Sequence, residues 1–387
     1  MTERRWPPGS RRPRRSRRAR RPTTTGQAPR RTRRSSSGGS GVATSRPTLR
    51  DVAHRAGVNP ATASRALNPA LPGRIAAPTE RRVREAAEAL GYRPDPVARS
   101  LRTRRSGFVG VVVPDLTNPV IPPIVRGIEG VLWTAGIACL LADTDNDVDR
   151  EAALVEELLA RRCEGLIVST ATRTSGTVND LADGDVPTIL VTRNIDTGAL
   201  PLVAGDDAAG VQAAVAHLAE LGHRQIAHVT GPLTLSTTVV RRDAFEAATD
   251  RLGLGASRLL VHGEAFTAAA GRAAAEELFG GGERFTAIVA GNDLIALGCL
   301  EALADAGLRC PEDISLVGHN DTPMVASLEP PLTTVAIPQA EIGARAATLL
   351  LDGLEGREVA SVPVLLPTEL IVRGSTAPAP PRSGLRE

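Results

Sequence analysis

The side chains with the clearest chemistry lie in one short run, "VNPATASRALN". Thr62, Ser64 and Arg65 offer two hydroxyls and a guanidinium within four positions, the groups that meet base edges and phosphates in a major groove. Elsewhere the reactive residue types form no catalytic pattern. There is no G-x-S-x-G elbow, no H-E-x-x-H, no phosphate-binding loop and no credible Ser–His–Asp order. Gly253 and Gly255 in "RLGLGAS" follow a helical rather than a strand pattern, so no dinucleotide fingerprint arises. His217, His223 and His228 straddle a helix and a strand and read as surface or interface histidines rather than a metal triad. Cys139, Cys163, Cys299 and Cys310 lack metal-type spacing and read as reduced, buried, small apolar residues. The expectation is a protein that binds rather than catalyses, with no metal and no cofactor.

The polar run needs a rigid support, and the flanking residues supply one. Thr48 precedes Leu49 with Asp51 three residues on, a capping-box spacing that starts a helix. Gly57 provides a left-handed stop. Asn59 is a good N-cap for the next helix, and Pro60 falls at its first position, where the missing N–H costs nothing. Val52, Val58, Ala63, Ala66 and Leu67 make the inner face, and small Ala53 lets two helices cross closely. A third helix, "TERRVREAAEALGY", aligns Val83, Ala86, Ala87 and Leu90 before Gly91. The layout predicts a helix-turn-helix whose second helix would read DNA. Pro60 and Ala61 open that helix without a side-chain hydrogen bond to a base. Readout then falls on Thr62, Ser64 and Arg65, with Ala61 against a thymine methyl. Thr48, Asn59 and Asn68, at the helix ends, complete the candidate contacts.

Charge agrees with that reading. The chain has 387 residues, no Lys and a formal net charge of +3, but the charge is unevenly spread. Residues 1–46 carry about +14, residues 47–106 about +7, and the remainder about −18. A basic front on an acidic body fits a nucleic-acid module joined to a body that avoids phosphate. Residues 1–46, rich in Arg, Ser, Gly and Pro, cannot bury a core and are expected to be disordered. They are either a phosphate-binding arm or sequence upstream of a true start at Val42. The N-terminus has no apolar segment of export type, and no run approaches the eighteen or so apolar residues of a membrane span.

After Gly107 the texture changes. Buried-strand runs ("FVGVVV", "IACLLA", "GLIVST", "TILVT", "LVAG", "QIAHVTG", "RLLVHG", "AIVAG", "ISLVGH") alternate with amphipathic stretches such as "REAALVEELLARR". This alternation implies parallel sheets with helices on both faces, and its length fits two sheets better than one. Ligands of such folds bind beyond the carboxyl ends of the strands, so a pocket between two lobes is expected.

From Thr48 to about Gly374 the sequence resembles the lactose-repressor (LacI/GalR) family of transcriptional regulators. The matching stretches are "TLRDVAHRAGV…ATASRALN", "VREAAEALGYRPDPVARSLRT", "GVVVPDLTNP", "HLAELGHRQIAHVTGP", "GNDLIALGCLEALADAGLRCPEDISLVG" and "PPLTTV". The resemblance implies an N-terminal all-α helix-turn-helix domain followed by an α/β periplasmic-binding-protein-like effector domain of two doubly wound, parallel-sheet lobes. The expected divisions are a tail at 1–46, a DNA-binding domain at 47–92, a hinge at 93–106, a body at 107–375 and a disordered tail at 376–387. It also implies a cytoplasmic, nucleoid-associated repressor, a homodimer at least and a tetramer if two dimers associate. That dimer would bind palindromic double-stranded operator DNA and answer to a small-molecule effector, a sugar or related metabolite. In "DPVARSLRT", Leu101 matches the family's minor-groove wedge and Ala98 lies one turn earlier on the same face, consistent with an apolar side chain that kinks a base step.

For the effector, the resemblance points to Arg241 in "RRDAF" and Asp293 in "GND". Asn118 in "TNP" and Arg193 in "VTRN" follow strands and are expected in the same cleft, with Ile121 from the pair after "NP". Several positions depart from the family pattern. Ala63 and Ala66 replace larger aliphatics, the loop before the third helix is longer, Val120–Ile121 replace an aromatic pair, and His319 replaces an aromatic in "GHND". Two rivals share parts of this layout, an enzyme and a two-lobed solute-binding protein. The latter would need an export signal and would have no use for residues 48–105.

Overall fold

The computed structural model describes residues 47–67, 74–93, 105–254 and 259–381. By contacts the chain divides into two units, residues 1–93 and 94–387.

The first unit holds three helices, α1 (Leu49–Ala56), α2 (Pro60–Ala66) and α3 (Ala77–Leu90). Their ends follow local chemistry. Thr48 and Asp51 form a reciprocal capping box, the Thr48 hydroxyl donating to Asp51 Oδ2 at 2.8 Å. Gly57 closes α1 at φ +66°, and the Val58 N–H reaches back to Ala53 O at 3.0 Å. Asn59 Oδ1 accepts from the Thr62 N–H at 2.7 Å and caps α2, with Pro60 leading. The core between the helices is small: Val52, Ala53, Ala56, Ala63, Ala66, Val83, Ala86 and Ala87, edged by Leu49, Val58, Leu67, Ile75, Leu90 and Tyr92.

The second unit is two α/β lobes. The first lobe's sheet holds β1 (Phe108–Val113), β2 (Ala138–Asp143), β3 (Leu166–Val168), β4 (Thr188–Val191), β5 (Leu202–Gly205) and β11 (Val364–Leu366), in the order β11-β5-β4-β3-β1-β2. The second holds β6 (Ile226–Thr230), β7 (Leu259–His262), β8 (Ala287–Ala290), β9 (Ser315–Asn320), β10 (Thr333–Ala336) and β12 (Glu369–Ile371), in the order β12-β10-β9-β8-β6-β7. The two orders are the same pattern repeated. Every pair is parallel except β10 with β12, which is antiparallel, with Val335 opposite Leu370. Strands β10, β11 and β12 are three or four residues each and are not among the strand runs read from the sequence.

Helices cover both faces. In the first lobe these are α4 (Ile121–Thr134), α5 (Val148–Ala160), α6 (Gly176–Ala182) and α11 (Gln339–Leu354). In the second they are α7 (Asp207–Glu220), α8 (Ser236–Arg251), α9 (Ala268–Gly280) and α10 (Asp293–Asp305). The chain crosses between lobes three times: after β5 into α7, after β10 into α11, and from β11 to β12. Small residues set the helix contacts. A Cβ on Gly127 would lie 2.0 Å from Ala340 O, and one on Gly343 would lie 2.0 Å from Ile124 O, so α4 and α11 meet backbone to backbone. Gly271 and Gly298 do the same for α9 and α10. No described helix is long and apolar enough to cross a membrane.

The histidines depart from the surface positions expected of them. His223 and His228 are buried, His223 Nδ1 paired with Thr286 Oγ1 at 2.8 Å and His228 stacked on Phe245 at 4.8 Å. Strand β6 is interior on both faces, so a polar residue in it is buried whatever its type. His228 Nδ1 donates to Val289 O at 2.7 Å, and burial pushes its pKa down to about 4, which keeps the ring neutral. His217 is half-buried, its Nε2 3.0 Å from the Thr376 hydroxyl.

Candidate functional site

On the first unit, the outer side of α2 carries the polar run. Ala63 and Ala66 are buried, Ala61 and Arg65 are exposed, and Thr62 and Ser64 are half-buried. Thr48 and Asn59 spend their side chains on capping, so the groups on this face without a side-chain partner among the described residues are Thr62, Ser64 and Arg65, beside the Ala61 methyl. Asn68, Ala98 and Leu101 lie outside the described residues.

In the second unit, segments beyond the carboxyl ends of β1, β2, β3, β4, β6 and β7 converge on a cavity of about 240 Å³ between the lobes. The first lobe contributes Asn118, Asp147, Glu151, Thr172 and Arg193, and the second Thr234 and Phe266. Two of the expected residues, Asn118 and Arg193, therefore share this lining. Asn118 Oδ1 caps the turn by accepting from the Val120 N–H at 3.2 Å, leaving its amide nitrogen free. The Arg193 guanidinium makes no hydrogen bond or ion pair among the described residues. Burial pushes its pKa down to about 10, against the pull of the nearby Glu151 carboxylate. It sits just after Thr192, which holds a positive φ of 63° while Arg193 N–H bonds back to Val191 O at 2.7 Å. A β-branched residue in that region is a strained γ-turn, the kind of backbone that persists at ligand loops.

Glu151 is the acceptor side of the cavity. It is buried in the first turns of α5 and receives the Thr170 hydroxyl and, at 3.5 Å, that of Ser175. Phe266 supplies the apolar face that Val120 and Ile121 cannot. Its ring packs over Gly231, where a Cβ would come within 2.7 Å of it.

The other three expected residues are not in the lining. Ile121 begins α4 and is buried in the first lobe's core with Val109, Val113 and Ile124. Arg241 lies behind Phe266, its guanidinium carbon 5.9 Å from the ring centre. Its Nε donates to Asp207 Oδ2 at 3.0 Å and its Nη1 to Gly291 O at 2.5 Å. His319 Nε2 donates to the other Asp207 oxygen at 3.0 Å. Burial alone would raise the Asp207 carboxyl, but Arg241 and His319 outweigh it and hold the group well below its ordinary range. Asp293, at the start of α10, is fully engaged elsewhere. Oδ2 accepts from the Thr322 N–H at 2.7 Å, and Oδ1 from the Thr334 hydroxyl at 2.6 Å. Burial raises its pKa to about 6 in spite of those bonds.

Sequence reasoning missed Phe266, Glu151 and Asp207. The signal for Phe266 was available, since it follows a parallel strand at its carboxyl end. Glu151 and Asp207 sit inside helical patterns, where an acid usually means a solvated face.

Comparison with known proteins fits both halves. Residues 48–95 match the family described as bacterial regulatory proteins, lacI family, and residues 215–376 match a periplasmic binding protein-like domain. The HTH-type transcriptional regulator MalR of Streptomyces coelicolor is 36% identical over 345 residues, covering 87% of this chain and 98% of the relative. The lac repressor dimer bound to operator and the anti-inducer ONPF superposes with a TM-score of 0.76 at 28% identity, covering 86% and 100% of the two chains. A complex of the transcriptional regulator CelR with cellobiose gives 0.64 at 29%, covering 85% and 100%. With a capped helix-turn-helix at one end and a two-lobed binding body at the other, this chain belongs to the lacI family of bacterial regulatory proteins, a DNA-binding transcriptional regulator and not an enzyme.

Proposed function

We propose that this regulator is a repressor that binds a palindromic operator as a homodimer and answers to a small sugar held between the two lobes. The observation that carries the sugar reading is Arg193, a half-buried cation with no hydrogen bond or ion pair among the described residues, sharing a polar cavity with the buried Glu151 carboxylate. A polyhydroxyl ligand both accepts from a guanidinium and donates to a carboxylate, and the Phe266 ring offers a flat apolar face for its C–H groups. The cavity volume of about 240 Å³ is below the roughly 300–1,000 Å³ usual for drug-sized ligands, which favours a monosaccharide. The cellobiose carried by the solved relative CelR agrees in kind.

The DNA side is assigned to Thr62, Ser64 and Arg65 with Ala61 on a thymine methyl, over a domain at 47–92. The hinge assignment at 93–106, with Leu101 as minor-groove wedge and Ala98 beside it, and the contact from Asn68 rest on sequence alone. Arg241 and Asp293 act behind the cavity. Arg241 backs the Phe266 ring, and Asp293 fastens α10 to the loop after β9. A nucleoid target places the protein in the cytoplasm.

Calorimetric titration with cellobiose, ribose and related sugars tests the effector reading. Arg193→Ala is expected to weaken the best of them tenfold to a hundredfold, the loss of about 1.5–3 kcal/mol typical of a hydrogen bond to a charged group. Sugar affinity unchanged in that variant would discard the reading. For the operator, Arg65→Ala should weaken a selected palindromic site while leaving sugar binding intact.

A further inference from the structure

A second cavity, of about 420 Å³, lies between the lobes beside the β5–α7 crossover. It shares no lining residue with the polar cleft, although the two have a common partition. That partition is the turn after β4: Arg193 lines the cleft, while Thr192 and Asn194 line the second cavity. Asn194 N–H donates to Ser236 Oγ at 2.7 Å and so ties the partition to α8 of the other lobe.

The chemistry of this cavity is different. Ile195, Leu202 and Ala204 of the first lobe face Val239 and Val240 of α8, and Leu365 of β11 closes one side. Val240 and Leu365 are 44% and 53% exposed, large apolar side chains left at the mouth. The charges present are mostly neutralised. Arg173 pairs with Asp196 at 2.9 Å, and Asp207 is held by Arg241 and His319. Two polar groups remain unused: the Thr237 hydroxyl and the Asn194 side-chain amide nitrogen make no hydrogen bond among the described residues. Asp206, whose Oδ1 caps α7 through the Ala209 N–H, leaves the rim acidic.

We infer that this cavity is a second ligand site, taking a small neutral molecule with an apolar ring or branched alkyl body and one hydroxyl. A sugar does not suit it, because most of its hydroxyls would lose water without gaining partners. An anion does not suit it, because of Asp206. The volume falls within the range of small-molecule sites, and walls from both lobes suit one compact molecule rather than a helix or strand. Its hydroxyl accepts from Asn194 Nδ2 and pairs with Thr237. Because the occupant touches both lobes, it binds best when they are together and biases the body toward that arrangement. The inference does not depend on the sugar reading.

4-Methylphenol is a suitable probe, followed on the full chain by ligand-observed NMR and calorimetry. Saturable binding is expected, weakened at least tenfold by Leu365→Arg and by Val240→Arg, and several-fold by Thr237→Val. Both arginines enter at exposed positions, so circular dichroism should show an intact fold for at least one. Arg193→Ala, on the other side of the partition, should leave probe binding unchanged. Absence of saturable binding, indifference to both arginine variants, or an equal loss in Arg193→Ala would each overturn the assignment.

Discussion

Asp207 and Asp293 show how far position outweighs residue type. Both are buried aspartates at the first position of a helix, yet one is held strongly ionised and the other is pushed toward protonation. The difference is the partner. Asp207 faces Arg241 and His319, whereas Asp293 faces only threonine donors and the Asp321 carboxylate nearby. Removing the cation should therefore cost more than removing a packing group. Arg241→Met is expected to lower stability by about 3–5 kcal/mol, because a buried carboxylate is left uncompensated, and Asp207→Asn in the same chain should recover part of it. Urea denaturation of the two variants checks this; a loss under about 1 kcal/mol for Arg241→Met would contradict the buried pair. Asp293 has the opposite pH signature. Its folded pKa is raised, so its contribution is fully present below about pH 4 and is lost as pH rises through about 6. Relative to the parent, Asp293→Asn should gain on the order of 2–3 kcal/mol between pH 4 and pH 7. The comparison with the parent matters, because buried His228 and His319, with lowered pKa values, act in the reverse sense over that window. A urea midpoint difference that does not change with pH would rule out the raised carboxyl.

At the scale of elements, the helix ends were legible in the sequence and the helix contacts were not. Thr48, Gly57, Asn59, Pro60 and Gly91 act through their own backbone or the next turn, so their roles are readable locally. Asn59→Ala should cost about 1 kcal/mol by leaving the Thr62 N–H uncapped, measurable as a lower thermal midpoint of the DNA-binding unit. The close approaches at Gly127 and Gly343, by contrast, join helices far apart in the chain, and those at Gly271 and Gly298 join successive helices across β8. Nothing local distinguishes those glycines from tolerated ones. Gly343→Ala, aimed at the Ile124 carbonyl, is expected to destabilise the body by about 1–3 kcal/mol or more, since backbone rather than a flexible side chain must move. Chemical denaturation showing no loss would mean that α4 and α11 separate easily. Strands β10, β11 and β12 escaped the sequence reading for a related reason: they are short edge or near-edge strands, β11 set between Pro363 and Pro367, and their pairing comes from remote neighbours.

For the whole body, the lobes are joined by bonds that do not involve an effector. Arg173 N–H donates to Thr234 O at 2.9 Å, its guanidinium reaches Leu233 O, and Asn194 N–H reaches Ser236 Oγ. Ser236→Ala removes one of these ties without altering the cleft lining. It should weaken sugar binding modestly, about threefold to tenfold, if closure contributes to affinity. Unchanged affinity together with an unchanged small-angle scattering profile would show that the tie is not used.

The sequence by itself determined the helix-turn-helix, its caps, the polar outer side of α2, the two-sheet α/β body and the family. These follow from local spacing, charge and period, or from motifs kept in order. The tertiary structure decided which polar residues meet. It set Arg193 and Asn118 in one cavity with Glu151 and Phe266, moved Arg241 behind the ring onto Asp207, buried Ile121 in the core, and turned two apparently superficial histidines inward. The physical reason is that pairing and burial depend on distances between strands and helices remote in sequence, and on chain crossings between two lobes, which no local pattern encodes.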